Sequence, residues 1–278
     1  MRPSNNMYSY FNNEFLPIEQ TFVHISDLAT QRGYGIFDFF KVVNGKPLFI
    51  KEYLDRFYYS ADTMRLPVSL TRTELKEVIT QLINRNGQAD AGIKMILTGG
   101  YSPDGYEIAK PNLIVSQHPL TLPGPAVLEK GIKVITYEYV RDIPHVKTIN
   151  YIMGIWLQQK VKEHQAADVL YHMNGQVSEF PRCNIFIVNG QNEVLTPASR
   201  VLHGITRKNI LKLSGKPFVV REAEVGLEDV YAANEVFLTS TTKRILPIIQ
   251  VDDKVIGSGK PGPVSLAILD KMLEMELE

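Results

Sequence analysis

The stretch from His145 to Phe186 carries two residues of complementary chemistry, Lys147 near its start and Glu179 near its end. A lysine amine that loses its proton in a partly desolvated cleft is a nucleophile that forms Schiff bases with carbonyl groups. A carboxylate can hold an aromatic ring nitrogen protonated, which strengthens an electron-accepting ring. We therefore expect Lys147 and Glu179 to hold opposite ends of one aromatic cofactor. Taken singly, each has a simpler interpretation, a surface lysine and a solvated turn acid.

Two short segments have the composition of a phosphate site. Gly204-Ile205-Thr206-Arg207 opens a predicted helix, where backbone N–H groups and a threonine hydroxyl can bind an anion. The alternative is that Thr206 only caps the helix. Ser240-Thr241-Thr242 follows an apolar strand, and small hydroxyl residues there can form an anion-binding turn. The alternative is a turn closed by its own hydroxyl groups.

Arg56 is a further candidate, because a guanidinium pairs well with a phosphate dianion. The alternative is a surface ion pair with Asp55 or Glu52. None of these signals is specific alone, and the chain has no glycine-rich dinucleotide motif, Walker loop, zinc-protease motif or serine-hydrolase motif.

The elements that must position these residues follow from hydrophobic spacing. Ile36–Val43 is typical of a strand, and Asn44-Gly45 predicts a hairpin turn after it. Lys51–Met64 has helical spacing, with Arg56 beside its apolar face. Thr71 and Glu74 fit a capping box at the start of a second helix. After Lys147, we predict a helix from Ile149 to about His164.

The domain organisation follows from a proline-rich segment. His118–Lys130 holds three prolines and is interpreted as a linker. We therefore predict an N-terminal α/β domain over 1–118, a linker over 119–130 and a C-terminal domain over 131–278. The mixture of strands and helices, without a regular βαβ rhythm, indicates the α+β class.

Composition excludes several classes of protein. The 278 residues are 44% hydrophobic and 22% charged, which is ordinary for a globular enzyme. Thirty basic residues balance thirty acidic ones, so no strong field favours nucleic acid or an acidic membrane as a partner. One cysteine, Cys183, allows no intrachain disulfide and no cysteine zinc site, and we expect no metal. Neither a signal peptide nor an apolar run of about 18 residues is present, so we expect a cytoplasmic protein.

Placed in chain order, these pieces resemble the class IV (fold-type IV) pyridoxal-phosphate aminotransferases. That family includes branched-chain aminotransferases, D-amino-acid aminotransferases and aminodeoxychorismate lyase. The resemblance spans roughly residues 24 to 252. It rests on motifs in the family order: Ser26–Ala61, Lys147–Tyr151 (KTINY), Gly175–Val188 (GQVSEFPRCNIFIV), Thr196-Pro197, Gly204–Arg207 and Phe237–Thr242.

The resemblance implies a two-domain fold like that of D-amino-acid aminotransferase, with a smaller N-terminal α/β domain and a larger C-terminal pseudo-barrel domain. It implies pyridoxal 5′-phosphate as cofactor, with Lys147 as the Schiff-base lysine and Glu179 at the pyridine nitrogen. The residues that bind the phosphate would be Arg56, Ile205, Thr206, Ser240 and Thr241. The family also implies a homodimer.

The substrate is less well indicated, because the chain departs from its relatives around the expected pocket. Gly33-Tyr34-Gly35 stands where the family usually has Gly-Asp-Gly, and Asp38 where it commonly has glutamate. The loop Tyr101–Tyr106 lacks the arginine and histidine that clamp the substrate carboxylate in D-amino-acid aminotransferases. Phe180-Pro181 also changes the motif that follows Glu179.

The leading interpretation is an aminotransferase that acts on a small amino acid and a 2-oxo acid. Candidate substrate-binding residues are Phe37, Tyr106 and Tyr151. The alternative is a relative of aminodeoxychorismate lyase, which would release pyruvate from an amino-substituted substrate. A third interpretation, a cofactor-binding protein without catalysis, is disfavoured because both Lys147 and Glu179 are present.

Overall fold

The computed structural model describes residues 7–215 and 217–277, so the first six residues of the N-terminal segment lie outside it. The chain divides into two compact units. The first runs to Thr121 and also takes in Val146–Asn150, which includes Lys147. The second comprises Leu122–His145 and the chain from Tyr151 onward. The predicted domain limits remain a prediction.

The first unit is a sheet with helices. Its elements are β1 (Tyr8–Phe11), β2 (Glu14–Pro17), a 3₁₀ turn (Ile18–Gln20), α1 (Leu28–Arg32), β3 (Gly35–Val43), β4 (Lys46–Pro47), α2 (Ile50–Thr63), α3 (Arg72–Asn86), β5 (Ala91–Thr98) and β6 (Leu113–His118). The strand order is β2-β1-β6-β5-β3-β4, and neighbouring strands are antiparallel. β6 and β5 are the central strands, and β3, which carries Phe37 and Asp38, pairs with β5.

Local sequence explains three features of this unit. Asn44 and Gly45 both take positive φ, as the predicted hairpin turn requires, and β4 pairs with β3 after it. The predicted helix is α2, whose apolar face is buried at Tyr53, Leu54, Phe57 and Ala61. The predicted capping box forms at the start of α3, where Thr71 and Glu74 each accept the other's backbone N–H.

The second unit is larger. Its elements are α4 (Pro125–Lys130), β7 (Ile132–Glu138), α5 (Ile152–Trp156), α6 (Gln158–Glu163), β8 (Asp168–Met173), β9 (Gln176–Val177), β10 (Asn184–Val188), β11 (Glu193–Pro197), α7 (Ile205–Leu211), β12 (Val219–Ala223), α8 (Leu227–Tyr231), β13 (Glu235–Ser240), β14 (Arg244–Val251), β15 (Lys254–Val255) and α9 (Pro263–Leu277). Its described strands form a mixed sheet in the order β12-β11-β10-β13-β14-β7-β8-β9, with β15 also paired to β14.

The core of the second unit lies on both faces of this sheet. On one face, buried residues of β10, β13 and β14 pack with α8. On the other face, Phe186 and Phe237 stack with ring centroids 5.2 Å apart. This second cluster includes Ile210 from α7 and Ile268 from α9. Strand β10, which follows Glu179 in the chain, is therefore fixed from both sides.

Two predictions about secondary structure need correction. The helix predicted from Ile149 to His164 begins at Ile152 and is divided at Leu157 into α5 and α6. The start is late because Thr148 pairs with Ile36 and the Ile149 N–H donates to Gly35 O at 3.0 Å, which keeps this backbone extended. The predicted linker also contains a helix, α4, in which Pro125 takes the first turn.

Within the described residues, none of the helices has both the length and the apolar character needed to cross a membrane. The same residues hold no grouping of three or more histidine, cysteine, aspartate or glutamate side chains that could bind a metal ion.

Candidate active site

Lys147 is held by backbone contacts within the first unit. Its carbonyl accepts the Phe37 N–H at 3.0 Å, and its own N–H donates to Ser60 Oγ at 3.4 Å. Phe37 belongs to β3 and Ser60 to α2, so the lysine is tied to two regular elements. The side chain of Lys147 is half-buried. This setting matches the partly desolvated lysine predicted from the sequence better than it matches a fully exposed one.

Phe37 lies directly beside Lys147. The lysine Nζ is 4.7 Å from the centroid of the Phe37 ring, and Lys94 Nζ lies 5.6 Å from the same centroid. A cation over an aromatic face is stabilised by roughly 0.5–2 kcal/mol, depending on how far it is desolvated. The ring therefore restrains the amine of Lys147, while two cations share one aromatic side chain.

Arg56 is buried and paired with Asp38, a partner that the sequence did not predict. Its Nε donates to one oxygen of Asp38 at 2.9 Å and its Nη2 to the other at 2.6 Å. The two side chains are 9% and 0% exposed, so Arg56 is not the surface side chain that the alternative interpretation assumed. A bidentate pair of this kind fixes the plane of the guanidinium.

Glu179 is also buried, at 4% exposure, so its interpretation as a solvated turn acid is wrong. One carboxylate oxygen accepts from Arg141 Nε at 2.8 Å, and the other accepts the Leu202 N–H at 2.8 Å. Arg141 in turn donates to the Pro144 carbonyl. Sequence reasoning missed Arg141, since a single arginine in a polar tract carries no signal of its partner.

The Leu202 contact links Glu179 to the start of α7. Asn184, at the beginning of β10, donates from Nδ2 to Leu202 O at 2.8 Å. A Cβ placed on Gly204 would lie 2.2 Å from Asn184 Oδ1, so only glycine fits against this asparagine. The acid and the predicted phosphate segment are therefore parts of one hydrogen-bonded loop in the second unit.

The first turn of α7 suits an anion. Its N-cap is Gly204, with no side-chain capping bond, and Ile205 and Thr206 follow as the first helical residues. The alternative in which Thr206 caps the helix is therefore wrong. First-turn N–H groups of a helix have no partner within the helix, and they carry a partial positive charge.

The second predicted phosphate segment, Ser240-Thr241-Thr242, lies in the turn after β13. Ser240 Oγ accepts the Lys243 N–H at 3.1 Å, which confirms the alternative of a hydroxyl-closed turn for Ser240. The hydroxyl can still donate its proton to an anion. Thr241 occupies the turn itself, and Lys243 Nζ pairs with Asp168 at 2.8 Å.

Tyr171 contacts Glu179 through the backbone, and Tyr139 packs against the Tyr171 ring. The Tyr171 N–H donates to Glu179 O at 2.9 Å, and the rings of Tyr171 and Tyr139 are 5.0 Å apart. Burial raises the pKa of Tyr171, with further increases from Tyr139, Asp168 and Glu179 and an opposing effect from Arg141. The Tyr171 hydroxyl is therefore neutral at physiological pH.

The predicted substrate residues Tyr106 and Tyr151 have different settings. Tyr106 is 84% exposed and its N–H donates to Asp104 at 2.9 Å, in a loop of the first unit. Tyr151 is half-buried and precedes α5 in the second unit. Their role in substrate binding remains a prediction.

The loop that carries Tyr106 is anchored by a buried acid, Asp27. Its Oδ2 accepts from Thr98 and Asn112, each at 2.7 Å, and its Oδ1 accepts the Ala29 N–H at 2.8 Å. The neighbouring Ser26 carbonyl accepts the Ser102 N–H at 3.1 Å. This network joins the start of α1 to the loop Tyr101–Tyr106.

Comparison with known proteins places these features in a family. The sequence model described as Amino-transferase class IV matches residues 35–251. The chain is 28% identical to D-alanine aminotransferase of Bacillus licheniformis, with 92% of each chain covered. It is 29% identical to a putative branched-chain-amino-acid aminotransferase of Methanocaldococcus jannaschii, over 97% of this chain and 96% of the relative.

Solved structures of aminotransferases have a similar fold to this chain. The branched-chain amino acid aminotransferase of Escherichia coli superposes with a TM-score of 0.90 at 27% identity, covering 98% of this chain and 95% of that one. A branched-chain amino acid aminotransferase from T.th., solved with pyridoxamine 5′-phosphate, shares the fold with a TM-score of 0.90 at 24% identity, over 98% and 94% of the two chains.

These findings confirm the predicted fold class, α+β of fold type IV, and the predicted aminotransferase activity. They do not favour the lyase alternative, since these relatives are named as aminotransferases. The family implies pyridoxal phosphate as cofactor and amino acids as substrates. The chain belongs to the class IV aminotransferase family.

Proposed function

We propose that this aminotransferase uses pyridoxal 5′-phosphate, with Lys147 as the reactive amine, to exchange an amino group between a small amino acid and a 2-oxo acid. The observation that carries the proposal is the buried carboxylate of Glu179. This carboxylate accepts hydrogen bonds from Arg141 and from the Leu202 N–H. Leu202 lies two residues before Gly204, the N-cap of α7. A buried acid beside an anion-binding helix start suits a ring with a basic nitrogen and a phosphate.

The donor set fits the two ends of this cofactor. Thr206, Ser240 and Thr241 carry hydroxyl groups, Ile205 lies in the first turn of α7, and Arg56 carries a guanidinium. Hydroxyl groups, helix-start amides and guanidinium are the usual donors to a phosphate dianion. Glu179 supplies the acceptor that a protonated pyridine nitrogen requires.

The chemistry that the cofactor supplies when bound is a reactive carbonyl carbon and an electron-accepting ring. The chain's own residues then have separate tasks. Lys147 Nζ would take the proton from the substrate α-carbon as a general base and deliver it to the C4′ carbon of the cofactor as a general acid, which leaves the amino group on the cofactor. Glu179 keeps the ring nitrogen protonated, and the phosphate ligands fix the ring's orientation, which is worth several orders of magnitude in rate when reacting groups are well placed.

The names of the relatives support an amino acid as substrate but differ in which amino acid they specify. One is named for D-alanine and another for branched-chain amino acids. The loop Tyr101–Tyr106 lacks the arginine and histidine expected in the D-amino-acid branch. Its Tyr106 N–H donates to Asp104, and its Tyr101 forms a backbone bridge with Asp27. We therefore propose a small amino acid as substrate, with Phe37, Tyr106 and Tyr151 as its candidate binding residues.

Absorption spectroscopy tests the cofactor proposal. Protein incubated with pyridoxal 5′-phosphate and then desalted should absorb in the visible range, and Lys147→Ala should abolish that band. Lys51→Ala is the control, because Lys51 is 86% exposed and pairs across one helical turn with Asp55. A protein that stays colourless, or a Lys147→Ala variant with an unchanged spectrum, would overturn the proposal.

Amino-group transfer is tested separately with a panel of amino donors and either 2-oxoglutarate or pyruvate. We expect transfer from at least one small amino acid, and none in Lys147→Ala. Release of pyruvate from aminodeoxychorismate without an acceptor, together with no transfer in the panel, would contradict the aminotransferase. A homodimer and a cytoplasmic location remain proposals that follow from the family and from the sequence.

A further inference from the structure

Arg141 and Glu179 form a buried ion pair that the proposed chemistry does not yet use. Their side chains are 12% and 5% exposed, and Arg141 Nε lies 2.8 Å from the carboxylate. We propose that Arg141 is a positioning residue that keeps Glu179 ionised and thereby places the shared proton on the ring nitrogen of the bound cofactor. This inference rests on the proposed function, in which Glu179 faces that nitrogen.

Burial alone would favour a neutral Glu179. A carboxylate removed from water loses its hydration, which disfavours the charged form, and an adjacent opposite charge restores it. The Leu202 N–H stabilises the carboxylate as a dipole, whereas Arg141 supplies a full positive charge. Arg141 is therefore the contact that counteracts desolvation most strongly.

The tyrosines and the acid closest to Glu179 in the described contacts carry no positive charge. Tyr171 contacts Glu179 through the backbone and Tyr139 packs against Tyr171. Burial raises the pKa of both hydroxyls, so both are neutral at pH 7. Asp168 is an acid and is paired with Lys243 at 2.8 Å. Tyr171, Tyr139 and Asp168 therefore cannot take the place of the Arg141 guanidinium.

Arg141 biases where a shared proton resides, because the cation acts unequally on the two possible holders. It touches the carboxylate directly. A protonated ring nitrogen is a hydrogen-bond donor, as is the guanidinium, and two donors do not approach to hydrogen-bonding distance. The ring nitrogen must therefore lie farther from the Arg141 guanidinium than the Glu179 carboxylate oxygen does. Coulomb repulsion falls with distance, so Arg141 lowers the proton affinity of Glu179 more than that of the ring. The proton is then favoured on the nitrogen.

The contact is also restrained in geometry. Arg141 donates from a second nitrogen to the Pro144 carbonyl, three residues further along the chain. The guanidinium is thus fixed by its own turn as well as by Glu179. A planar, permanently charged group suits this task, because it cannot lose its proton to the acid.

The first test uses pyridoxal phosphate labelled with ¹⁵N in the ring and bound to the full-length protein. We expect the wild-type ring nitrogen to resonate as protonated at pH 7, and Arg141→Met to move it towards the neutral position. Arg141→Lys should restore much of the wild-type shift, since it keeps the charge. Arg221→Met is the control, because Arg221 forms an exposed pair with Glu193.

The second test needs no cofactor. Infrared difference spectra of the apoprotein, with Glu179→Gln to assign the band, should show an ionised carboxylate in the wild type and a protonated one in Arg141→Met. If Arg141→Met does not fold, Arg141→Gln replaces it, since glutamine keeps a hydrogen-bond donor without the charge. Glu179 should be protonated in that variant as well.

The outcomes separate this inference from the proposed function. An ionised Glu179 in both neutral variants, or a ring nitrogen resonance that Arg141→Met leaves unchanged, overturns the role of Arg141. Failure of the wild type to bind pyridoxal phosphate overturns the proposed function instead. The infrared measurement on the apoprotein would still decide whether Arg141 ionises Glu179.

Discussion

At the scale of single residues, the candidate site depends on buried charges that are paired with one another. Asp38 and Arg56 are joined by two hydrogen bonds and are almost completely buried. Removing one member of such a pair leaves the other uncompensated in a poorly hydrated setting. That loss is costly, although the intact pair itself contributes little net stability.

Asp38→Asn should therefore lower the free energy of unfolding by about 3–5 kcal/mol. Asp55→Asn is the matched control, because Asp55 lies one residue before Arg56 and pairs with Lys51 and Arg72 while half-exposed. Asp55→Asn should lower the free energy of unfolding by no more than about 1 kcal/mol. Urea unfolding of both apoproteins, followed by circular dichroism, measures the difference. Equal losses in the two variants would contradict the buried-pair argument.

The identity of Arg56 could be predicted from the sequence, whereas its partner could not. Arg56 lies beside the apolar face of a helix with clear periodicity, and that periodicity is local. Asp38 lies on β3, and the pairing exists only because α2 packs against that strand. Arg141 and Glu179 pose the same difficulty, because no local pattern relates the two positions.

At the scale of elements, the start of α7 is determined by one glycine and one asparagine. Asn184 holds the preceding loop through Leu202 O and lies where a Cβ of residue 204 would be. The loop, the N-terminus of α7 and the carboxylate of Glu179 share this support, since Leu202 also donates to Glu179. A change at Gly204 should therefore affect stability and cofactor binding together.

Gly204→Ala places a methyl group 2.2 Å from Asn184 Oδ1, so either the loop or the Asn184 side chain must move. We expect a loss of about 1–3 kcal/mol in unfolding free energy, as for overpacked sites, and weaker binding of pyridoxal phosphate measured by fluorescence titration. Gly190→Ala is the control, because a Cβ there meets no atom within 4 Å. Wild-type affinity and stability in Gly204→Ala would show that the loop adapts freely.

Elements with regular periodicity were predictable, and those set by distant contacts were not. The hairpin at Asn44-Gly45, helix α2 and the capping box of α3 follow from adjacent residues. The segment after Lys147 has helical composition, yet its first residues pair with β3 and stay extended. Tertiary hydrogen bonds outweigh helix propensity there, and propensity is a weak term.

At the scale of the whole molecule, the order of motifs was the informative feature. Lys147 and Glu179 each have a simpler interpretation when considered alone. The class IV family model spans residues 35–251, so it includes both of them together with the start of α7 and the turn after β13. The agreement over this length shows the family but does not select a substrate, because the loop Tyr101–Tyr106 departs from the motif of the D-amino-acid branch.

An apolar stripe is exposed on helix α5 of the second unit. Ile152, Ile155 and Trp156 lie three and four residues apart on α5 and are 67%, 65% and 65% exposed. Adjacent exposed apolar side chains on one helix face are typical of surfaces that are covered by a partner. A second copy of the chain would cover the stripe in the homodimer that we propose.

Sedimentation velocity tests this assembly at several protein concentrations. The wild type should sediment as a species of twice the 31.4 kDa chain mass. Ile155→Glu should shift the population towards the monomer, because a charge buried in an apolar interface loses its hydration. Val255→Glu is the control, since Val255 is similarly exposed at 61% but lies on β15. A monomeric wild type would contradict the dimer itself. A dimer that persists in Ile155→Glu would place the interface elsewhere, and the exposed stripe would then need another occupant.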